Sequence, residues 1–181
     1  DAGGERSFYF WRNASAARDF FHAPNVEAAI DAMRSASLFY FSLISLSILP
    51  REHQIQLVDI ARECADRGGR VAFDSNFRAQ AWPDVGDARE LIERLLPHVT
   101  YALPTLEDEV RLFGSQDAES VAARLLASGV REVAVKCGPR GAWVQSRDNA
   151  GRWVAAQVVD APVDTTGAGD SFNAAYLAAR F

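Results

Sequence analysis

The chain has 181 residues, 49% hydrophobic and 24% charged, with 24 Asp and Glu against 19 Lys and Arg for a formal net charge of −5. That balance describes a soluble globular protein with one sizeable core, and it disfavours a nucleic-acid binder, which would carry a basic patch or stripe. The longest apolar tract, Ala36 to Leu49, is interrupted by serines and shorter than the ~20 residues a membrane-spanning helix requires; it reads as buried strand and loop.

In chain order, the aromatic-rich Arg6 to Arg12 is strand-like. Val26, Ala29, Ile30 and Met33 fall on one helical face. "LFYFSL" is the next strand, and a helix follows in which Pro50 suits the first turn, Leu57, Ile60, Ala61 and Cys64 share a face, and Gly68 is the stop. "RVAFD" is a strand, residues around Asp87 to Leu96 a helix, and "VTYAL" a strand. Two helices follow, Leu106 to Phe113 and Ala118 to Ser128, the second ended by Gly129. "EVAVKCG" is a strand, and two more flank an Asn-Ala-Gly turn before the last helix, which opens at "GAGD".

Strands alternating with amphipathic helices imply βαβ units and a mostly parallel sheet with helices on both faces. Ligands in such sheets bind beyond the carboxyl ends of the strands. The residues found there are polar or glycine-rich in each case: "SNFR" after "VAFD", "PTLED" after "VTYAL", "CGPRG" after "VAVK", and "DTTGAGD" before the last helix.

Cys64 and Cys137 lie far apart, without CxxC spacing or a His cluster, so two reduced thiols in a cytosolic protein are expected. His22, His53 and His98 are scattered and read as surface or structural. The chain starts at Asp1 and stops at Phe181 within a helical pattern, which suggests an interior piece of a longer protein.

Gly167 and Gly169 let the backbone approach a ligand, and the unpaired amides of a helix's first turn favour an anion. Asp170 beside such an anion hole fits a base that removes a hydroxyl proton while phosphoryl charge develops over the amides. The alternative is a helix cap and a turn with no chemistry. No G-x-x-x-x-G-K-[ST] is present, and Phe172 stands where a dinucleotide fingerprint needs its third glycine.

"DTTGAGDSF" resembles the signature of the ribokinase-like (PfkB) carbohydrate kinases, and the likeness extends over nearly the whole chain. "GGERSFYFWRNASAA", "FDSNFR" and "LPTLEDEVRLFG" are most similar to 2-dehydro-3-deoxygluconate kinases within that family. The resemblance implies a three-layer α/β/α fold with a mostly parallel sheet, residues 1–15 forming a remnant of a small β lid and residues 16–181 the core of a single kinase domain, incomplete at both ends. It implies a cytoplasmic enzyme that uses ATP and Mg²⁺, with K⁺ as a further cation, and that binds neither nucleic acid nor membrane. The lid offers a surface for a homo-oligomer.

Carried over residue by residue, the resemblance makes Asp170 the base on the sugar's primary hydroxyl and assigns the stabilising amides to Gly167, Ala168 and Gly169. Lys136, Gly138 and Gly141 correspond to the nucleotide-side loop, with Gly167 and Gly169 also facing the nucleotide. Asp164 and Thr166 correspond to a monovalent-cation site. Arg12, Phe10 and Arg78 correspond to the sugar site, where guanidinium forks suit a carboxylate; Arg78 paired with Asp74, and a solvated Arg12, are the structural alternatives. Where many relatives carry Asn-x-x-Glu in the magnesium loop, this chain has Thr105 and Asp108, a spacing that also fits a helix capping box, so Asp108 is expected to act on magnesium through water. The expected reaction is phosphorylation of 2-dehydro-3-deoxy-D-gluconate to its 6-phosphate. A fructokinase or nucleoside kinase and a non-catalytic sugar-binding relative are the alternatives.

Overall fold

The computed structural model describes residues 15–114, 117–157, 159 and 163–181. The expected lid strand, with Phe10 and Arg12, lies outside the described residues. The first described element is a 3-10 turn over Ala16–His22, with the Ser15 hydroxyl accepting from the Ala17 amide. Helix α1 (Val26–Arg34) turns Ile30 inward and leads to strand β1 (Leu38–Ser42).

The apolar tract does not continue as strand and loop. A five-residue helix, α2 (Leu43–Ser47), follows β1 and buries Leu43 and Leu46 completely. The interrupting serines explain it: Ser45 Oγ accepts from the Ser42 amide at 3.5 Å, and Ser47 Oγ donates to the Ile44 carbonyl at 2.9 Å. These local bonds satisfy backbone groups that a strand would have needed to pair.

Helix α3 (Arg51–Asp66) begins after Pro50, buries Leu57, Ile60, Ala61 and Cys64, and gives way to Gly68 at φ 88°. Strand β2 (Arg70–Asp74) is followed by α4 (Val85–Leu95), capped by the Asp84 side chain on the Gly86 amide at 2.7 Å. Strand β3 is only Tyr101–Ala102, shorter than expected, because Val99 is already bonded back to Leu96 and Pro104 has no N–H to donate. Helices α5 (Leu106–Phe113) and α6 (Ala118–Ala127) precede β4 (Glu132–Lys136), β5 (Ala142–Ser146) and β6 (Arg152–Val154). Helix α7 (Ala168–Ala178) comes last.

The six strands lie side by side in chain order. β1 to β4 are parallel, and β5 and β6 join antiparallel. Right-handed crossovers between successive parallel neighbours place every connecting helix on one side of the sheet. The packing agrees: Phe41, Val71, Phe73, Val133 and Val135 form one core with Leu57, Leu91, Leu112 and Leu125 from the connecting helices.

Because strand side chains alternate, Ala72, Tyr101, Leu103 and Ala134 face the other way and meet Leu177 of α7. The same period sends Tyr40, Asp74 and Lys136 to that second face. The three layers are therefore uneven, with one described helix on the second side. Alanines on β2 and β4 let α7 approach closely enough for short side chains to bridge helix and sheet.

Candidate active site

The strands deliver polar side chains to the underside of α7 at their carboxyl ends. Asp74 ends β2 and Lys136 ends β4, and both are buried. Lys136 Nζ donates to Asp74 Oδ2 at 2.9 Å and to Asn173 Oδ1 at 3.1 Å. Asn173 Nδ2 donates to the same Asp74 oxygen at 2.7 Å and to the Tyr40 hydroxyl at 3.1 Å. An ammonium near a helix N-terminus faces the positive end of the helix dipole, so the Asp74 carboxylate offsets both the ammonium and the dipole. Burial raises the pKa of the Tyr40 phenol; the Asn173 hydrogen bond opposes this, and the Asp74 and Asp170 carboxylates add to it.

Above this network the chain turns into α7. Asp164 Oδ1 accepts from the Thr166 amide at 2.9 Å, and the Ala168 amide donates to the Thr165 carbonyl at 3.2 Å. Gly167 is the N-cap at φ 75°, a conformation that costs a residue with a Cβ strain and glycine almost nothing. Gly169 has no positive φ to require glycine, and among the described residues a Cβ there would meet only Lys136 Nζ, at an ordinary 3.7 Å. Glycine inside a helix costs about 0.5–1 kcal/mol relative to alanine. The described residues give no return for that cost, whereas a ligand lying against the bare backbone would.

Asp170 is exposed on the first turn and lines a groove of about 350 Å³ between α7 and β1, with Leu38, Tyr40, Asn173 and Leu177 among the other walls. A carboxylate lining an apolar groove, on the same first turn as the free helix amides, can take a proton from a hydroxyl held there.

The loop after β2 carries the second group of expected residues. Asp108, on the first turn of α5, is buried and accepts from the Phe77 amide at 3.0 Å and the Ser75 hydroxyl at 3.3 Å, both through Oδ2. Burial raises the pKa of its carboxyl, opposed by the Phe77 bond and the nearby Arg78 charge. The expected capping box is not formed: Thr105 makes no side-chain cap, and Asp108 is turned to the β2 loop instead. Arg78 is exposed, donates to the Phe77 carbonyl at 3.1 Å, and lies within electrostatic reach of Asp108. It is not the partner of Asp74, which is held by Lys136.

Lys136 stands on a strand end and not in the following loop. Gly138 (φ 56°) and Gly141 (φ 95°) bracket the turn into β5, and a Cβ on Gly141 would sit 2.0 Å from the Val154 carbonyl oxygen, so close packing of β6 already requires that glycine. Asp164 and Thr166 meet through an Asx turn. Cys64 and Cys137 are free and buried, and His53 stacks on Phe21 at 4.7 Å, both as expected.

The structure brings together Asp170, Gly167, Ala168, Gly169 and Lys136, and places Arg78 beside Asp108 on the neighbouring loop. Asn173 and Tyr40 were missed. The available signal was an asparagine, a poor helix former, three residues after Asp170 on the helix face that also carries Leu177.

No described helix is long and apolar enough to cross a membrane, and no group of three or more His, Cys, Asp or Glu among the described residues could hold a metal ion. Magnesium in phosphoryl transfer needs only one or two protein carboxylates, the rest of its shell being phosphate and water. The free Oδ1 of Asp108 fits that limited share.

Over residues 1–181 the sequence matches the family described as pfkB family carbohydrate kinase. It is 37% identical over 179 residues to the 2-dehydro-3-deoxygluconokinase of Haemophilus influenzae, covering 98% of this chain and 57% of that protein. It is 34% identical to the probable fructokinase-4 of Arabidopsis thaliana, covering 96% and 52%. Among solved structures, a putative ribokinase II from E. coli in complex with ATP and Mg²⁺ superposes with a TM-score of 0.78 at 26% identity, over 98% of this chain and 55% of that one. The chain thus spans between half and three fifths of the length of these relatives.

Proposed function

The chain belongs to the pfkB family of carbohydrate kinases, and on that basis we propose that its protein transfers the γ-phosphoryl group of ATP to the primary hydroxyl of a sugar acid, 2-dehydro-3-deoxy-D-gluconate. The observation that carries the reading is the pairing of Asp170, exposed at a groove, with a neighbouring Gly169 that the fold does not require. Asp170 accepts the hydroxyl proton, the alkoxide oxygen attacks the γ-phosphorus in line, and the bond to the β-phosphate oxygen breaks to release ADP. The helix amides of Gly169 and Asp170, beside the Gly167 cap, face the charge that builds on the transferring group. The Ala168 amide, turned back to Thr165, contributes less than its neighbours.

Magnesium bound with the nucleotide would neutralise phosphate charge, and Asp108 would meet its hydration shell through Oδ1. Asp164 and Thr166 would stand next to a monovalent cation such as K⁺, while Gly138 and Gly141 would shape the nucleotide side. Arg78, with Arg12 and Phe10, would hold the acid end of the sugar. The cytoplasm and a homo-oligomer formed through the lid belong to the same reading.

Fructokinase is the second reading, favoured by the Arabidopsis relative. Steady-state kinetics of the full-length protein with ATP separate the two. The sugar-acid reading expects a higher kcat/KM on 2-dehydro-3-deoxygluconate than on fructose, and a preference for fructose overturns it. No ATP turnover with either sugar leaves the non-catalytic alternative.

A further inference from the structure

Helix α7 is held to the sheet at few points. Its buried described residues are Asn173 and Leu177. Toward its carboxyl end, Leu177 packs on Ala72, Tyr101, Leu103 and Ala134, the Tyr176 hydroxyl bonds Glu132 at 2.5 Å, and Arg180 pairs with the same carboxylate at 2.6 Å. Toward its amino end, where Asp170 and the glycines lie, Phe172 packs partly buried against the same apolar cluster, and Asn173 is the fully buried polar side chain, 1% exposed and one turn from Asp170.

Both ends of the Asn173 amide are engaged, with three partners from three different strands: Tyr40 on β1, Asp74 on β2 and Lys136 on β4. Three bonds in different directions fix both the depth and the rotation of the first turn. A hydrophobic contact is non-directional and would fix depth alone.

We propose that Asn173 is a positioning residue for phosphoryl transfer: through Asp74, Lys136 and Tyr40 it sets the first turn of α7, and so the Asp170 carboxylate and the neighbouring amides, at a fixed place over the strand ends. This rests on the reading of Asp170 as the base. Asn173 acts only through that turn and touches no reacting atom.

The test uses the full-length protein in an ATP-coupled assay. A displacement of about 1 Å in a catalytic group costs on the order of 100-fold in rate, so Asn173→Ala is expected to lower kcat by roughly 10- to 100-fold while the sugar KM moves by less than about 3-fold. In an Asp170→Asn background the same change is expected to lower the residual rate by clearly less than it lowers the parent rate, because the carboxylate is gone and only the amides of the turn remain to be displaced. Full loss in both backgrounds, or an unchanged kcat in Asn173→Ala, overturns the proposal.

A second variant covers the case in which Asn173→Ala does not fold. Exchanging the two groups, Asp74→Asn with Asn173→Asp, keeps one carboxylate and one amide against Lys136, and is expected to restore kcat to within about 5-fold of the parent, whereas either single change does not. A folded exchange variant without recovery contradicts the positioning role. Should Asp170→Asn alone keep the parent kcat, the base reading fails; should it collapse while Asn173→Ala stays active, the positioning role alone fails.

Discussion

Lys136 and Asp74 stand 62 positions apart in the chain and meet at 2.9 Å beneath the first turn of α7. Neither is more than 10% exposed at the side chain, so removing one strands the other in a water-poor site. Lys136→Met is therefore expected to lower unfolding free energy by about 3–5 kcal/mol, the usual cost of an orphaned buried charge. Adding Asp74→Asn should return most of that loss. Chemical denaturation of the three proteins measures it, and equal stability of Lys136→Met and parent would show that the pair is not structurally coupled.

Two glycines give opposite expectations. At Gly169 a Cβ meets nothing closer than 3.7 Å, and alanine is the better helix former by about 0.5–1 kcal/mol. Gly169→Ala should leave the melting temperature equal or higher while kcat falls about 10-fold or more, because a methyl group then stands against the transferring phosphoryl. Gly141→Ala should unfold the β5–β6 corner, since its Cβ would sit 2.0 Å from the Val154 carbonyl oxygen. Thermal melts and initial rates on the same samples separate the two. A Gly169→Ala enzyme with full activity would remove the ligand-based explanation of that glycine.

Glu109 supplies a pH signature. It is 2% exposed and paired with Arg124, yet burial outweighs the arginine and raises its pKa from 4.5 to about 7. A carboxyl whose folded pKa lies above its unfolded value binds protons more tightly when folded. Its contribution to stability is thus fully present below about pH 4.5 and is lost as pH rises through about 7. Glu109→Gln should flatten the fall in stability across that window. Denaturation curves at pH 4.5, 6 and 8 test it, and identical slopes for parent and variant would refute the assignment.

Arg78 is exposed beside Asp108 with, among the described residues, only a carbonyl as hydrogen-bond partner, so its guanidinium has donors to spare for a ligand. A hydrogen bond to a charged group is worth about 1.5–3 kcal/mol, so Arg78→Ala should raise KM for the sugar acid roughly 10- to 100-fold and for fructose by much less. Parallel kinetics on the two substrates check this. An equal effect on both would leave Arg78 without a role in recognising the acid.

Much of the architecture is visible in the order of residues because local rules and burial agree. Helix α5 runs from Leu106 to Phe113, bounded by Thr105 and by Gly114 at φ 70°, as the residues suggest. Reasoning fails where a side chain has two possible partners. Asp108 has the spacing of a capping box, but the Phe77 amide and Ser75 hydroxyl, some thirty positions away, compete for it and win. The serines after β1 likewise close a short helix that apolar periodicity does not reveal. The glycines and Asp170 stand out from their sequence alone, whereas the support beneath them, Asn173 with Tyr40 and Lys136, depends on strands meeting in space.

The central claim is that the Asp170 carboxylate takes the proton of the acceptor hydroxyl. Its most direct test is kcat for Asp170→Asn in the full-length protein, alongside sugar binding measured by calorimetry. A positioned general base contributes about 10²- to 10⁴-fold, so kcat should fall by that much while the Kd for the sugar acid stays within about 3-fold. A variant that turns over within about 3-fold of the parent would contradict the account.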